Sequence, residues 1–148
     1  MNEEYHIFEA VEAKAEYARA IEKLLPQLCS RPIAFSATQL QHLVENENTH
    51  LFMLQREGVI VGMLTLCHTL SPTGGKIWIE DVVVDSSQRG RSLGRALVQH
   101  AIKYVRDNHP DATLMLTSRP SRVAANVLYR SAGFVPKETN VYSMKFDD

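Results

Sequence analysis

The fold is decided by the stretch Asp85-Ser86-Ser87-Gln88-Arg89-Gly90-Arg91-Ser92-Leu93-Gly94-Arg95. Just before it, Lys76 to Val84 is the most β-prone run of the chain and ends in Ile79-Glu80-Asp81-Val82-Val83-Val84. Just after it, Leu93, Leu97, Ala101, Tyr104 and Val105 recur at helical spacing, and the pattern stops near Asn108 and Pro110. A strand, a turn of small residues and a helix start together make an anion site. The first amides of a helix have no partner within it, and the helix dipole adds partial positive charge there. Arg89, Arg91 and Arg95 supply full charges. No Gly-Lys-Ser/Thr closes the turn, so it is not a Walker A loop, and the Gly-x-Gly-x-x-Gly of a dinucleotide fold is absent. The alternative for the arginines is a solvated helix end with no ligand.

Working outward, Tyr5 to Phe8 reads as a short strand. Val11, Ala15, Ala18, Ile21 and Leu25 give residues 9–25 a helical pattern that Pro26 ends. After a loop with Arg31 at its centre, Ser36-Ala37-Thr38-Gln39 fits a capping box, with Phe35 and Leu40 placed as a hydrophobic staple. His50 to Gln55 and Val59 to Thr69 read as a hairpin about Arg56-Glu57-Gly58, and Ser71 to Gly75 as a second turn. Thr113 to Thr117 is a short strand. Ser121 is placed to cap a helix carrying Val123, Val127 and Leu128, which Gly133 ends, and Val141 to Phe146 reads as a final strand. The order β-α-α-β-β-β-α-β-α-β predicts one α/β (α+β) domain over 1–148, on a mostly antiparallel sheet.

A length of 148 residues suits one core. With 45% hydrophobic and 22% charged residues, the chain falls in the globular range and outside the disordered one. The formal net charge of −1 conceals a split: residues 1–85 carry −6, residues 86–137 carry +7 and the last eleven −2. A basic segment in a near-neutral chain points to a local anionic partner. Nucleic acid is disfavoured, because residues 86–103 hold no aromatic to interleave with the basic residues. Cys29 and Cys67 lack CxxC spacing and fit buried thiols in a reducing compartment. No stretch reaches the roughly 18 apolar residues of a membrane span, and Met1 to Glu12 lacks a secretion-signal pattern, so the expected location is the cytoplasm. The six histidines lack ligand spacing, and no metal is expected.

Arg89-Gly90-Arg91-Ser92-Leu93-Gly94 resembles the Gln/Arg-x-x-Gly-x-Gly/Ala pattern of the GCN5-related N-acetyltransferase (GNAT) family. A second block, Asn126 with Tyr129-Arg130-Ser131-Ala132-Gly133-Phe134, is similar as well. Ser92 stands where the pattern usually has its first glycine, and a left-handed backbone would be strained there. The resemblance implies a GNAT-type fold and an N-acetyltransferase with acetyl-CoA as cosubstrate. It places the pantetheine arm along the backbone of Val82, Val83 and Val84, which recognises amides without needing particular side chains. An N–H of that segment could stabilise charge on the thioester oxygen. The pyrophosphate falls to Arg89, Gly90, Arg91, Ser92, Leu93, Gly94 and Arg95. Asn126 and Tyr129, neighbours on one helix face, look toward the cofactor. The resemblance leaves a homodimer open.

An amine with a pKa of about 10 costs about 4 kcal/mol to deprotonate at pH 7, so a positioned base helps. Glu80, in the run Ile77 to Val84 where a carboxylate is costly to bury without purpose, is the candidate, and an ion pair with one of the arginines is its alternative. Strand alternation predicts Trp78, Glu80, Val82 and Val84 on one face and Asp81 on the other. Some family members carry the base at the position of Trp78. Tyr129 is the acid that the resemblance implies for the departing thiolate, against the alternative of a core tyrosine with a satisfied hydroxyl. Phe52 and Phe134 read as core. Ile-Glu-Asp-Val-Val-Val and the ending Asn140 to Phe146 are similar to glucosamine-6-phosphate N-acetyltransferases in particular, while Ser118 to Arg122 matches loosely. The expected acceptor is therefore a small primary amine, with Arg31 and Arg119 as candidate anion binders. A protein N-terminus or lysine, and a non-catalytic acyl-CoA-binding module, are the competing readings.

Overall fold

The computed structural model describes residues 4–146. The chain forms two compact units, one through Thr117 and one from Ser118. In the first, five strands make a sheet in chain order: β1 (Tyr5–Glu9), β2 (Thr49–Arg56), β3 (Val59–Ser71), β4 (Gly74–Val84) and β5 (Thr113–Met115). β1 to β4 are antiparallel neighbours and β5 runs parallel to β4. Glu57 and Gly58 turn the β2–β3 hairpin with φ of 53° and 78°, the backbone that matches the twist of paired strands.

Helix α1 (Ala15–Leu24) continues into a 3₁₀ turn at Leu25–Gln27, and α2 (Ala37–Glu45) follows. The capping box of α2 is present in full: Gln39 N–H donates to Ser36 Oγ and Ser36 N–H to Gln39 Oε1. Leu40 is fully buried and Phe35 packs on the core, as the staple requires. Alternation along β2 sorts the two faces of the sheet. Leu51 and Met53 join Ile21, Leu24, Leu40, Met63 and Val83 in the core under α1 and α2. Phe52 turns the other way, where its ring meets His100 and Tyr104 of α3 (Leu93–Asn108). Leu93, Leu97, Val98, Ala101 and Val105 form the buried stripe of α3. Burial of each large side chain stabilises by about 1.5–3 kcal/mol, so this stripe holds α3 in place.

The second unit contains α4 (Val123–Ser131). Gly133, at φ 109°, ends it as expected: Gly133 N–H reaches the Arg130 carbonyl and Phe134 N–H the Tyr129 carbonyl, a Schellman motif.

Four expectations are corrected. The first helix begins at Ala15 rather than at residue 9, because β1 extends to Glu9 and Val11 lies exposed in the link. The N-cap of α4 is Arg122, not Ser121, and no side chain caps it. Residues 141–146 form no strand: Val141, Tyr142, Met144 and Phe146 are exposed, and an alternating pattern without a partner makes no ladder. Cys29 and Cys67 are half-buried rather than buried, and both are free thiols. Phe52 is core as expected, and Phe134 is half-buried. Among the described residues no helix is long and apolar enough to cross a membrane, and no cluster of His, Cys, Asp or Glu is placed to hold a metal.

Candidate active site

β4 carries the first part of the site. Thr65 pairs with Glu80 and Met63 with Val83, so Asp81 and Val82 together face Leu64 alone. This is a β-bulge, and Asp81 takes the left-handed backbone at φ 54°. Met63 and Thr65 lie two apart on β3 and share a face, so Glu80 shares its face with Val83. The expected grouping of Glu80 with Val82 and Val84 is therefore wrong, because the extra residue resets the alternation. The negative charge of Asp81, at the bulge, acts on both Glu80 and Cys67.

On the same face, Cys67 lies across from Trp78 on one side and from Thr49 on the other. Glu80 and Asp81 are exposed residues, and partial desolvation, then the negative charge of Asp81, pushes the Glu80 carboxyl above its ordinary value. Desolvation raises Asp81 as well. The Cys67 thiol is raised by burial first and by both carboxylates next, against a hydrogen bond to Thr49 that lowers it. A glutamate held protonated to higher pH is a stronger base once ionised.

The second part is a gap at the sheet edge. β5 accompanies β4 only at Lys76, Ile77 and Trp78. From Ile79 to Val84 the far edge of β4 meets no strand among the described residues, so its backbone N–H and C=O groups are open to an amide-bearing ligand.

That open edge runs into the turn. Asp85 N–H donates to the Val61 carbonyl, and Asp85 Oδ1 caps Ser87 N–H at 3.1 Å, opening a 3₁₀ turn at Ser86–Gln88. The hydrogen bond from Ser87 N–H, foremost, holds the Asp85 carboxyl below its ordinary value. Gln88 Oε1 accepts from Arg56 Nη1 at 3.1 Å. Beyond this braced start, Gly90 has φ 83° and Ser92, the N-cap of α3, has φ 59° and ψ 26°. The strain foreseen at Ser92 is thus present. The first rung of α3 is Ala96 N–H to the Ser92 carbonyl at 3.1 Å, so the amides of Leu93 and Gly94 point out of the helix end. A Cβ built on Gly90 or Gly94 would meet nothing within 4 Å, and Arg89 and Arg91 are exposed beside this space. Open room, outward amides and free-standing guanidinium groups fit a pyrophosphate.

In the second unit, Tyr129 is buried, and its ring lies edge-on 6.1 Å from Phe134 across the Schellman turn. Its hydroxyl has no hydrogen-bond partner among the described residues, unlike that of a satisfied core tyrosine. Asn126 donates from Nδ2 to the Arg119 carbonyl at 2.9 Å and the Arg122 carbonyl at 2.8 Å. Its amide nitrogen thus braces residues 119–122 and leaves its oxygen to meet a ligand. Arg31 and Arg119, in separate units, are both exposed. Sequence reading missed the bulge, the Asp85 cap and the Arg56–Gln88 bond. Only the cap had a local signal, an Asp two residues ahead of a serine amide.

The chain matches the acetyltransferase (GNAT) family over residues 14–134 and belongs to it. It is an acetyltransferase of that family, which generally uses acetyl-CoA. Among solved structures, an aminoglycoside acetyltransferase from an uncultured soil metagenomic sample, seen with sisomicin, is 18% identical. It aligns with a TM-score of 0.80 over 97% of each chain. Glucosamine-6-phosphate N-acetyltransferase from Arabidopsis thaliana is 21% identical, with a TM-score of 0.79 over 98% of this chain and 100% of that one. Ribosomal-protein-alanine N-acetyltransferase from Brucella melitensis biovar Abortus 2308 is 16% identical, with a TM-score of 0.76 over 97% and 100%. No curated protein sequence matches the chain.

Proposed function

We propose that this acetyltransferase moves an acetyl group from acetyl-CoA to the primary amine of a small molecule. The observation that carries the reading is the open edge of β4, which leads without interruption into the amide-rich turn and its arginines. On this reading the backbone of Val82, Val83 and Val84 pairs with the pantetheine amides. Arg89, Gly90, Arg91, Ser92, Leu93, Gly94 and Arg95 hold the pyrophosphate, with the Asn126 oxygen as a further contact. When bound, acetyl-CoA supplies an acetyl group activated as a thioester. Glu80 takes the proton from the acceptor ammonium, directly or through a water, and the desolvation that raises its carboxyl suits it to that task. The Tyr129 hydroxyl, without a hydrogen-bond partner among the described residues, gives its proton to the departing sulfur.

The family match spans the boundary at Thr117, which supports reading 1–148 as one domain. Two of the three similar structures are named for small amines, an aminoglycoside and an amino sugar, which favours a small acceptor. The third, named for a protein N-terminus, keeps a peptide acceptor as the second reading. The test is release of free CoA thiol with acetyl-CoA and a panel holding amino sugars, an aminoglycoside and an alanine-ended peptide. Turnover with a small amine but not the peptide is expected. Turnover only with the peptide replaces the first reading by the second, and none with any amine removes both.

A further inference from the structure

Gln27 ends the 3₁₀ turn after α1, and 59 positions along the chain its side chain meets the start of the cofactor turn. Its Oε1 accepts from Ser86 N–H at 2.8 Å, and its side chain is a minor contributor to holding the neighbouring Asp85 carboxyl below its ordinary value. One amide thus braces the turn at Ser86. Lys23, one helical turn back, places Nζ 3.8 Å from Asp85 Oδ2. The grip is firmly based, because Pro26 fixes the backbone angle just before Gln27, Leu24 and Leu25 are buried, and Leu28 N–H closes onto the Leu25 carbonyl.

Ser86 lies where β4 has ended and α3 has not begun, so no ladder holds its amide. With Gln27 in place, each amide from Asp85 to Arg89 has a stated acceptor: the Val61 carbonyl, Gln27 Oε1, Asp85 Oδ1, the Asp85 carbonyl and the Ser86 carbonyl, in order. The turn therefore reaches Gly90 with its direction set, and the amides beyond it are left for an anion. Resting on the reading of this turn as the pyrophosphate site, we propose that Gln27 is a positioning residue for cofactor binding, aiming the 86–92 turn from the end of α1. Its worth is that of one exposed hydrogen bond, realised as affinity because a pre-aimed turn loses less freedom when the ligand arrives.

The test replaces Gln27 by methionine, which keeps its length and removes the hydrogen bond to Ser86. Q27M is expected to raise KM for acetyl-CoA about three- to tenfold, the range of a single hydrogen bond, and to leave kcat at saturation within about twofold. Q39M, which removes a comparable side-chain bond at the start of α2, serves as control: it lowers Tm and leaves that KM unchanged. An unaltered KM in Q27M overturns the proposal. So does a joint fall of kcat and Tm without a selective KM effect, which marks a merely structural contact. Calorimetry of the unsubstituted protein with CoA separates the two levels. If CoA does not bind at all, the cofactor reading fails and the proposal with it. If CoA binds equally well to both proteins, only the role of Gln27 is lost.

Discussion

Glu80 stands directly across the β3–β4 ladder from Thr65, and within the next two residues of β3 the facing strand gains one. The extra residue is why a carboxylate can project from the α1/α2 side of the sheet while Val83 returns to the core on that same side. A general base contributes about 10²–10⁴-fold to a proton transfer. Glu80→Gln keeps the shape and removes the base, so kcat falls in that range while CoA affinity, which rests on backbone and arginines, stays the same. Steady-state rates alongside CoA calorimetry check both halves.

The charge of Asp81 bears on the pH profile. Its carboxylate disfavours ionisation of Glu80, adding to the larger effect of desolvation. The acid limb of kcat/KM therefore lies above the ordinary glutamate value of 4.5, because the base works only when deprotonated. Asp81→Asn removes the repulsion but not the desolvation, so the limb moves down in pH without reaching that ordinary value. Asparagine tolerates the left-handed backbone of this position, so the bulge is kept. Stability shares the sign: a raised carboxyl favours the folded state at low pH, and this advantage fades as pH rises from the ordinary value through the raised one. In Asp81→Asn that fading is smaller, which melting curves across pH measure.

Tyr129→Phe separates chemistry from packing. The phenyl ring keeps the contact with Phe134 across the Schellman turn, and among the described residues the hydroxyl has no hydrogen-bond partner to lose. Stability should change by less than about 1 kcal/mol. The rate at saturating acetyl-CoA should fall about 10²-fold or more if the hydroxyl is the acid, most strongly for acceptors whose transfer needs the thiolate protonated as it leaves. Thermal melting and single-turnover thiol release distinguish this from a structural tyrosine, whose loss would move Tm and leave the rate alone.

The local signals that succeed are those completed by a few neighbouring residues, whereas non-local ones leave no trace in the sequence. The capping box at Ser36 and the C-terminal Gly133 depend on residues within a few positions of one another, and both formed as read. The Glu80 face was misread because a bulge is a property of two strands: nothing in Ile79 to Val84 alone announces that Leu64 will face two residues. Val141 to Phe146 carries the alternation of a strand, but alternation states only which face is apolar, and a ladder also needs a neighbour. The left-handed glycine and outward amides of the turn from Asp85 to Arg95 follow from local sequence, whereas its braces, Gln27 and Arg56, come from distant segments. Backbone contacts made by 82–84 have no side-chain signature at all, since any β-prone residues would serve.

Ser92 offers the last prediction, because it is the one motif position where this chain departs from the family pattern in kind. At φ 59° and ψ 26° its Cβ sits close to the following carbonyl, which costs an ordinary residue roughly 1–2 kcal/mol. Ser92→Gly removes that penalty but gives the unfolded chain more freedom, worth about 0.4–1 kcal/mol in the opposite direction. The net change is expected between zero and about 1.6 kcal/mol of stabilisation, with CoA affinity kept or improved because no side chain then borders the outward amides. Ser92→Val tests the opposite limit. A β-branched residue is a genuine outlier at positive φ, so the N-cap must move to accommodate it. Both Tm and CoA affinity should drop together in that variant, since the conformation that strains the chain is the one that presents the Leu93 and Gly94 amides. A valine variant that melts early and binds CoA normally would show that the left-handed N-cap is not what the ligand needs.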